Sequence, residues 1–165
     1  MSVKHFPVIL VPDGDDAALS KMIRQFHHWT ALDFLRTDGP KATGTGVSRV
    51  YDEDEFYKAV ILEELVRLGV PAVFLEDIGF GDWLETNKDL EHWQIVKEGA
   101  RDVYLNVASN ADEGTILNMS DDPRRLLSLL GFVDTNEEVK SNPHSERYSS
   151  MIVVNVTTLF DRVPE

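Results

Sequence analysis

The run from Asp52 to Pro71 carries the start, the face and the stop of a single helix, and it fixes how the residues on either side can be read. Asp52 is a good N-cap, and Glu55 three residues on completes a capping-box pattern with Asp in place of Ser or Thr. The acids Glu53, Asp54 and Glu55 suit the positive end of a helix dipole. Phe56, Val60, Ile61, Leu65 and Leu68 recur at helical spacing and predict one buried face, with Glu63, Glu64 and Arg67 left in water. Gly69 tolerates the left-handed conformation that ends a helix, and Pro71 cannot continue it.

Ahead of this helix, Thr37 to Gly46 is too rich in Gly, Pro and Thr to be helical, and Val47 to Tyr51 reads as a short strand. A hairpin tip bearing Lys41, Thr43, Thr45 and Arg49 is the natural reading. Further upstream, Leu19, Met22, Ile23, Phe26, Trp29, Leu32 and Phe34 or Leu35 fall at helical spacing. They fit one long helix, or two short ones with a turn near Ile23 to Gln25. Trp29 reads as a core anchor. Arg24, Gln25, His27 and His28 are left for other faces.

The order of helix, Gly/Thr loop, Arg49-Val-Tyr51 and capped helix resembles the winged helix-turn-helix of MerR-like bacterial regulators. The likeness runs over roughly residues 17 to 80. It rests on Phe26-His-His-Trp-Thr with Phe34-Leu-Arg, on Gly44-Thr-Gly-Val-Ser-Arg-Val-Tyr51, and on Asp52 to Pro71. The resemblance implies a transcriptional regulator that binds double-stranded DNA as a homodimer in a bacterial cytoplasm. By the same resemblance Arg24, Gln25, His27 and His28 face the major groove, with the helix over 24–35 as the reading element. Lys41, Thr43, Thr45, Arg49 and Tyr51 approach the backbone or minor groove from the wing over 39–49. The chain departs from the family where Gly69, Pro71, Gly79 and Gly81 interrupt the region of the long dimerising coil. It has no cysteine, which excludes sensing through thiolates.

The second half changes period. Val103 to Val107 and Thr115 to Met119 read as a hairpin, a helix is expected from Pro123 to Leu130, and Asp134 to Arg147 reads as a polar loop. Ser150 to Asn155 reads as a buried strand. Val156, Leu159, Phe160 and Val163 form a closing helical stripe. The expected class is therefore α+β, with a winged-helix lobe over residues 1–80 and a small antiparallel sheet with covering helices over 81–165, the latter a dimerisation or effector lobe.

Charge opposes the DNA reading in total and permits it locally. The net charge is −13, yet Lys21 to Arg49 holds Lys21, Arg24, Arg36, Lys41 and Arg49 against Asp33 and Asp38, so this stretch is +3. Two readings stay open: a DNA-binding regulator, or an acidic winged-helix interaction module that binds a protein partner and not DNA. Catalysis is not expected. His27 and His28 are adjacent and point about 100° apart on a helix, Gly44-Thr-Gly46 lacks the Lys of a phosphate loop, and no nucleophile elbow occurs. Neither a metal nor a cofactor is expected, and no apolar run approaches a membrane span of about 20 residues.

Overall fold

The computed structural model describes residues 15–39, 49–87, 95, 96, 98, 101–110, 114–122 and 150–160. These fall into two compact units, one reaching to Lys88 and the other lying within Asp89–Asp161. The first unit is helical: α1 (Asp16–Ala31), α2 (Glu53–Arg67), α3 (Ala72–Asp77) and α4 (Phe80–Asn87). It thus includes α4, which the sequence reading assigned to the second lobe.

Helix α1 starts where the Asp15 side chain accepts a hydrogen bond from the Ala18 N–H at 2.8 Å, so the acidic turn before it acts as a cap. It is one helix, with no break near Ile23 to Gln25, because that stretch contains neither Gly nor Pro. Its end is closed by paired bonds, Asp33 N–H to the Thr30 carbonyl and Phe34 N–H to the Trp29 carbonyl. That geometry requires a left-handed residue, and Asp33 supplies it at φ 62°. The same paired bonds close α2, with Gly69 at φ 89°, and α3 ends on Gly79 at φ 66°, whose N–H donates to the Glu76 carbonyl.

Helix α2 begins at the predicted cap, with the Glu55 N–H donating to the Asp52 carboxylate at 2.9 Å. It is buried on more than one face, which corrects the expected single stripe. Glu64 is buried, clasped by Arg67 through Nε and Nη2. Leu68, expected inside, is 45% exposed because the helix has already ended there. Around α2 the core of the unit gathers Phe26, Trp29, Phe34, Leu35, Tyr51, Ile61, Leu62, Leu65, Leu75 and Phe80. Each such side chain contributes about 1.5–3 kcal/mol of burial. Phe26 meets Trp29 at 5.5 Å and Tyr51 edge-on at 6.1 Å, while Phe34 meets Phe80 edge-on at 6.4 Å.

The second unit contains β1 (Tyr104–Asn110), β2 (Gly114–Ser120), β3 (Ser150–Asn155) and the short α5 (Val156–Phe160). The strands form an antiparallel sheet in the order β2-β1-β3. Both hairpin strands and the closing strand appear where alternation placed them. Leu105, Val107, Met119 and Val154 are buried on one face. α5 is pinned to the start of β1: the Thr157 hydroxyl donates to the Arg101 carbonyl and accepts from the Val103 N–H, both at 3.0 Å. Asn155 caps α5 by accepting from the Thr158 N–H at 3.2 Å. The expected helix at 123–130 and polar loop at 134–147 lie outside the described residues. The fold is thus α+β with a small three-stranded antiparallel sheet.

Candidate nucleic-acid interface

The described cations that the sequence singles out collect on and beside α1. Burial of Met22, Phe26, Trp29 and Thr30 leaves Ala17, Ser20, Lys21, Arg24, His27, His28 and Ala31 exposed. These positions follow the i, i+3, i+4, i+7 rule and so share one face. No Asp or Glu lies between Ala17 and Ala31, so over that stretch the face bears two fixed positive charges and two imidazoles; the helix's own carboxylate, the exposed Asp16, stands in its first turn, four residues before Ser20. Gln25 is only partly exposed and sits at the margin. Lys21, which was not singled out, belongs to the face through its i, i+3 spacing to Arg24.

Arg49 reaches this face from outside the helix. Partial burial first, and then the Arg49 guanidinium, hold the His27 imidazole below its ordinary value. Position 49 is therefore close enough to α1 to add its charge there. The ends of the Gly/Thr segment also meet, since the Asp38 N–H donates to the Val50 carbonyl at 2.8 Å. Lys41, Thr43 and Thr45 lie outside the described residues.

Tyr51 is placed differently from the expectation drawn for it. Its side chain is 1% exposed, packed on Phe26, and its hydroxyl lies 2.8 Å from the Thr30 hydroxyl, which is itself 2.8 Å from the Phe26 carbonyl. A phosphate cannot reach it there. The role that fits this placement is structural, joining the chain two residues after Arg49 to the buried side of α1.

A group of charges that the sequence did not reveal stands behind the helix. Lys58 is 1% exposed, and its Nζ donates to Glu55 at 2.6 Å and to Glu85 of α4 at 2.8 Å. The backbone N–H of Arg36 donates to the other oxygen of Glu55 at 2.7 Å, and the Arg36 guanidinium lies 3.2 Å from Glu85. Two cations and two carboxylates thus lock the chain leaving α1 onto α2 and α4. Burial raises the Glu55 carboxyl above its ordinary value, and the bonds from Lys58 and from the Arg36 backbone partly offset this. In sequence, Glu55 and Lys58 are an ordinary i, i+3 pair; Glu85 lies 27 residues further on, beyond any local pattern.

Among the described residues, no three His, Asp or Glu side chains are placed to hold a metal ion, and no helix is long and apolar enough to cross a membrane. No protein-family model and no curated protein matches the chain.

Proposed function

We propose that the first unit binds double-stranded DNA through the exposed face of α1 and that the protein is a transcriptional regulator of the MerR-like kind. One observation carries the reading. Lys21, Arg24, His27 and His28 share an exposed face of α1 that holds no carboxylate between Ala17 and Ala31, on a chain whose net charge is −13. A helix fits the major groove of B-DNA, where Arg24 can bond guanine and Gln25 can reach a base edge from the margin. Arg49, whose charge acts on His27, can add a phosphate contact beside it. The charged lock behind α1 supports the reading, because a reading helix must be held in a fixed orientation. So few cations per copy give weak affinity, and a homodimer on half-sites about 34–36 Å apart supplies the rest.

The test is selection of duplexes from a random pool, followed by mobility-shift titration over a salt series. Arg24→Ala and Lys21→Ala are each expected to lower the steepness of the salt dependence by about one. Failure to enrich any duplex at about 50 mM salt overturns the proposal. A second reading, an acidic module that binds a protein partner, draws on a different surface. Leu68 and Val73 are 45% and 62% exposed at the junction of α2 and α3, near the exposed Glu76 and Asp77.

A further inference from the structure

Among the described residues four large apolar side chains are exposed, Val50, Leu68, Val73 and Val153, and two of them stand five residues apart in the turn from α2 to α3. Exposed apolar residues scattered singly are ordinary, whereas a cluster marks a surface that meets something. The backbone shows how this cluster arises. Val70, 5% exposed, turns inward, and its N–H returns to the Leu65 carbonyl at 2.9 Å. Leu68 and Pro71 on either side of it are exposed, and the Pro71 carbonyl opens α3 by accepting from the N–H groups of Phe74 at 3.0 Å and Leu75 at 3.2 Å. Val73 follows in the first turn of α3 and is 62% exposed. Helix formation alone favours an acid there over a β-branched residue.

The charge around the cluster is of one sign. Glu76 and Asp77 lie three and four residues beyond Val73, so on α3 they share its face, and both are exposed. They also stand at the C-terminal end of α3, where carboxylates oppose the helix dipole and a cation would be favoured, yet its last turn holds no basic residue. From Glu63 to Asp82 the chain carries five carboxylates against one cation, Arg67, a net of −4, and Glu64 already clasps that cation at 2.8 Å and 2.5 Å. The side chains of Glu76 and Asp77 make no hydrogen bond or ion pair within the described residues. This surface repels a polyanion. It attracts a cation that brings an apolar neighbour to lay on Val73.

We propose that the turn from α2 to α3 is a docking site for a basic amphipathic helix of a partner protein, whose apolar side chains cover Leu68, Pro71 and Val73 while Lys or Arg residues one turn away pair with Glu76 and Asp77. A helix fits because one turn separates its apolar residue from its cation, as one turn separates Val73 from Glu76 and Asp77. The contact is small, so the complex is transient, and its exposed ion pairs govern encounter and salt dependence. The inference rests on the protein-partner reading of this surface, to which it gives a chemistry, and it holds whether or not α1 binds DNA.

The test titrates the full chain into a fluorescently labelled Leu/Lys peptide of about four helical turns, with Leu at i, i+3, i+4 and i+7. Two counterparts carry Glu in place of Lys, or Ser in place of Leu. The Leu/Lys peptide is expected to bind with a Kd of about 1–100 μM and to shift the Leu68 and Val73 methyl signals in an NMR spectrum. Either counterpart is expected to bind about ten times more weakly or worse. Val73→Ser is expected to weaken the Leu/Lys peptide about five-fold or more, and Glu76→Gln with Asp77→Asn to flatten its salt dependence. All three positions are exposed, so the urea midpoint stays within the range of ordinary surface substitutions. If the Leu/Glu peptide moves the same methyls equally well, the surface docks a partner of another chemistry: the inference is overturned and the protein-partner reading stands. If no peptide moves these methyls, or Val73→Ser leaves binding unchanged, both are overturned. If sedimentation shows a dimer that Val73→Ser dissolves, a second copy of the chain covers the patch and the inference is overturned.

Discussion

A Cβ built on Gly81 would stand 2.9 Å from the carbonyl oxygen of Asp33, with Cδ1 of Phe34 at 3.3 Å. Helix α4 therefore presses its backbone against the turn that ends α1, and only a residue without a side chain permits the approach. Elsewhere in a helix, replacing Gly by Ala gains up to about 1 kcal/mol in propensity. Here the backbone oxygen cannot swing aside as a flexible side chain would. Gly81→Ala is expected to destabilise the first unit by about 1–3 kcal/mol, read as a lower urea midpoint with an unchanged slope. An increase in the midpoint would show that α4 can move off the turn at little cost.

This glycine shows what could be learned before the structure and what could not. Gly69, Gly79 and Gly81 all read as interruptions after α2. The first two do end helices at positive φ, but Gly81 lies inside one, and the reason lies at Asp33, 48 residues earlier. The caps of α2 were legible because Asp52 and Glu55 act over three residues, and the strands because alternation is local. Lys58 was not legible as a core residue: its burial depends on Glu85 and on a Glu55 that the Arg36 backbone also holds, contacts made only once the chain has folded. Tyr51 was ambiguous because an aromatic ring with a polar tip suits a wing surface as well as a core, and only the Thr30 hydroxyl decides between them.

Lys58 neutralises two carboxylates that would otherwise face each other across α2 and α4. Removing one partner of a buried pair leaves the other charge stranded, at a cost of about 3–5 kcal/mol. Lys58→Met should show that cost and also change its pH dependence. Because the Glu55 carboxyl is already raised by burial, its contribution to stability is fully present below the unfolded-state pKa and is lost as pH rises through the folded-state value. Without Lys58 the raise is larger, so the variant is expected to lose more stability at pH 8 than at pH 4. Equal losses at both pH values, in chemical unfolding followed by circular dichroism, would show that Arg36 neutralises the two carboxylates without it.

The Thr157 hydroxyl bonds to two backbone groups at once, accepting from Val103 and donating to Arg101. Thr157→Val keeps the shape and removes both bonds, taking from a buried N–H its acceptor. A loss of about 2 kcal/mol is expected, localised to the second unit. Hydrogen exchange measures it directly: the amides of β1 and β3 should exchange faster while those of α2 keep their protection. A uniform loss across both units would mean that the two unfold as one.

His27 offers a way to ask whether α1 meets an anion at all. Its imidazole is held below the ordinary value by partial burial and by Arg49, so at pH 7 it is neutral and the face carries fewer charges than its composition suggests. Acidification adds a proton there, and a bound polyanion favours that protonated form. DNA affinity is therefore expected to rise as pH falls through the His27 pKa, with a steeper salt dependence at the lower pH. Arg49→Ala removes the repelling charge, so His27 should titrate at higher pH in an NMR experiment, although the variant has lost a cation of its own. The two effects separate cleanly. If His27 titrates at the same pH in Arg49→Ala as in the unaltered chain, Arg49 does not stand beside α1, and the cationic face is reduced to what the helix alone provides.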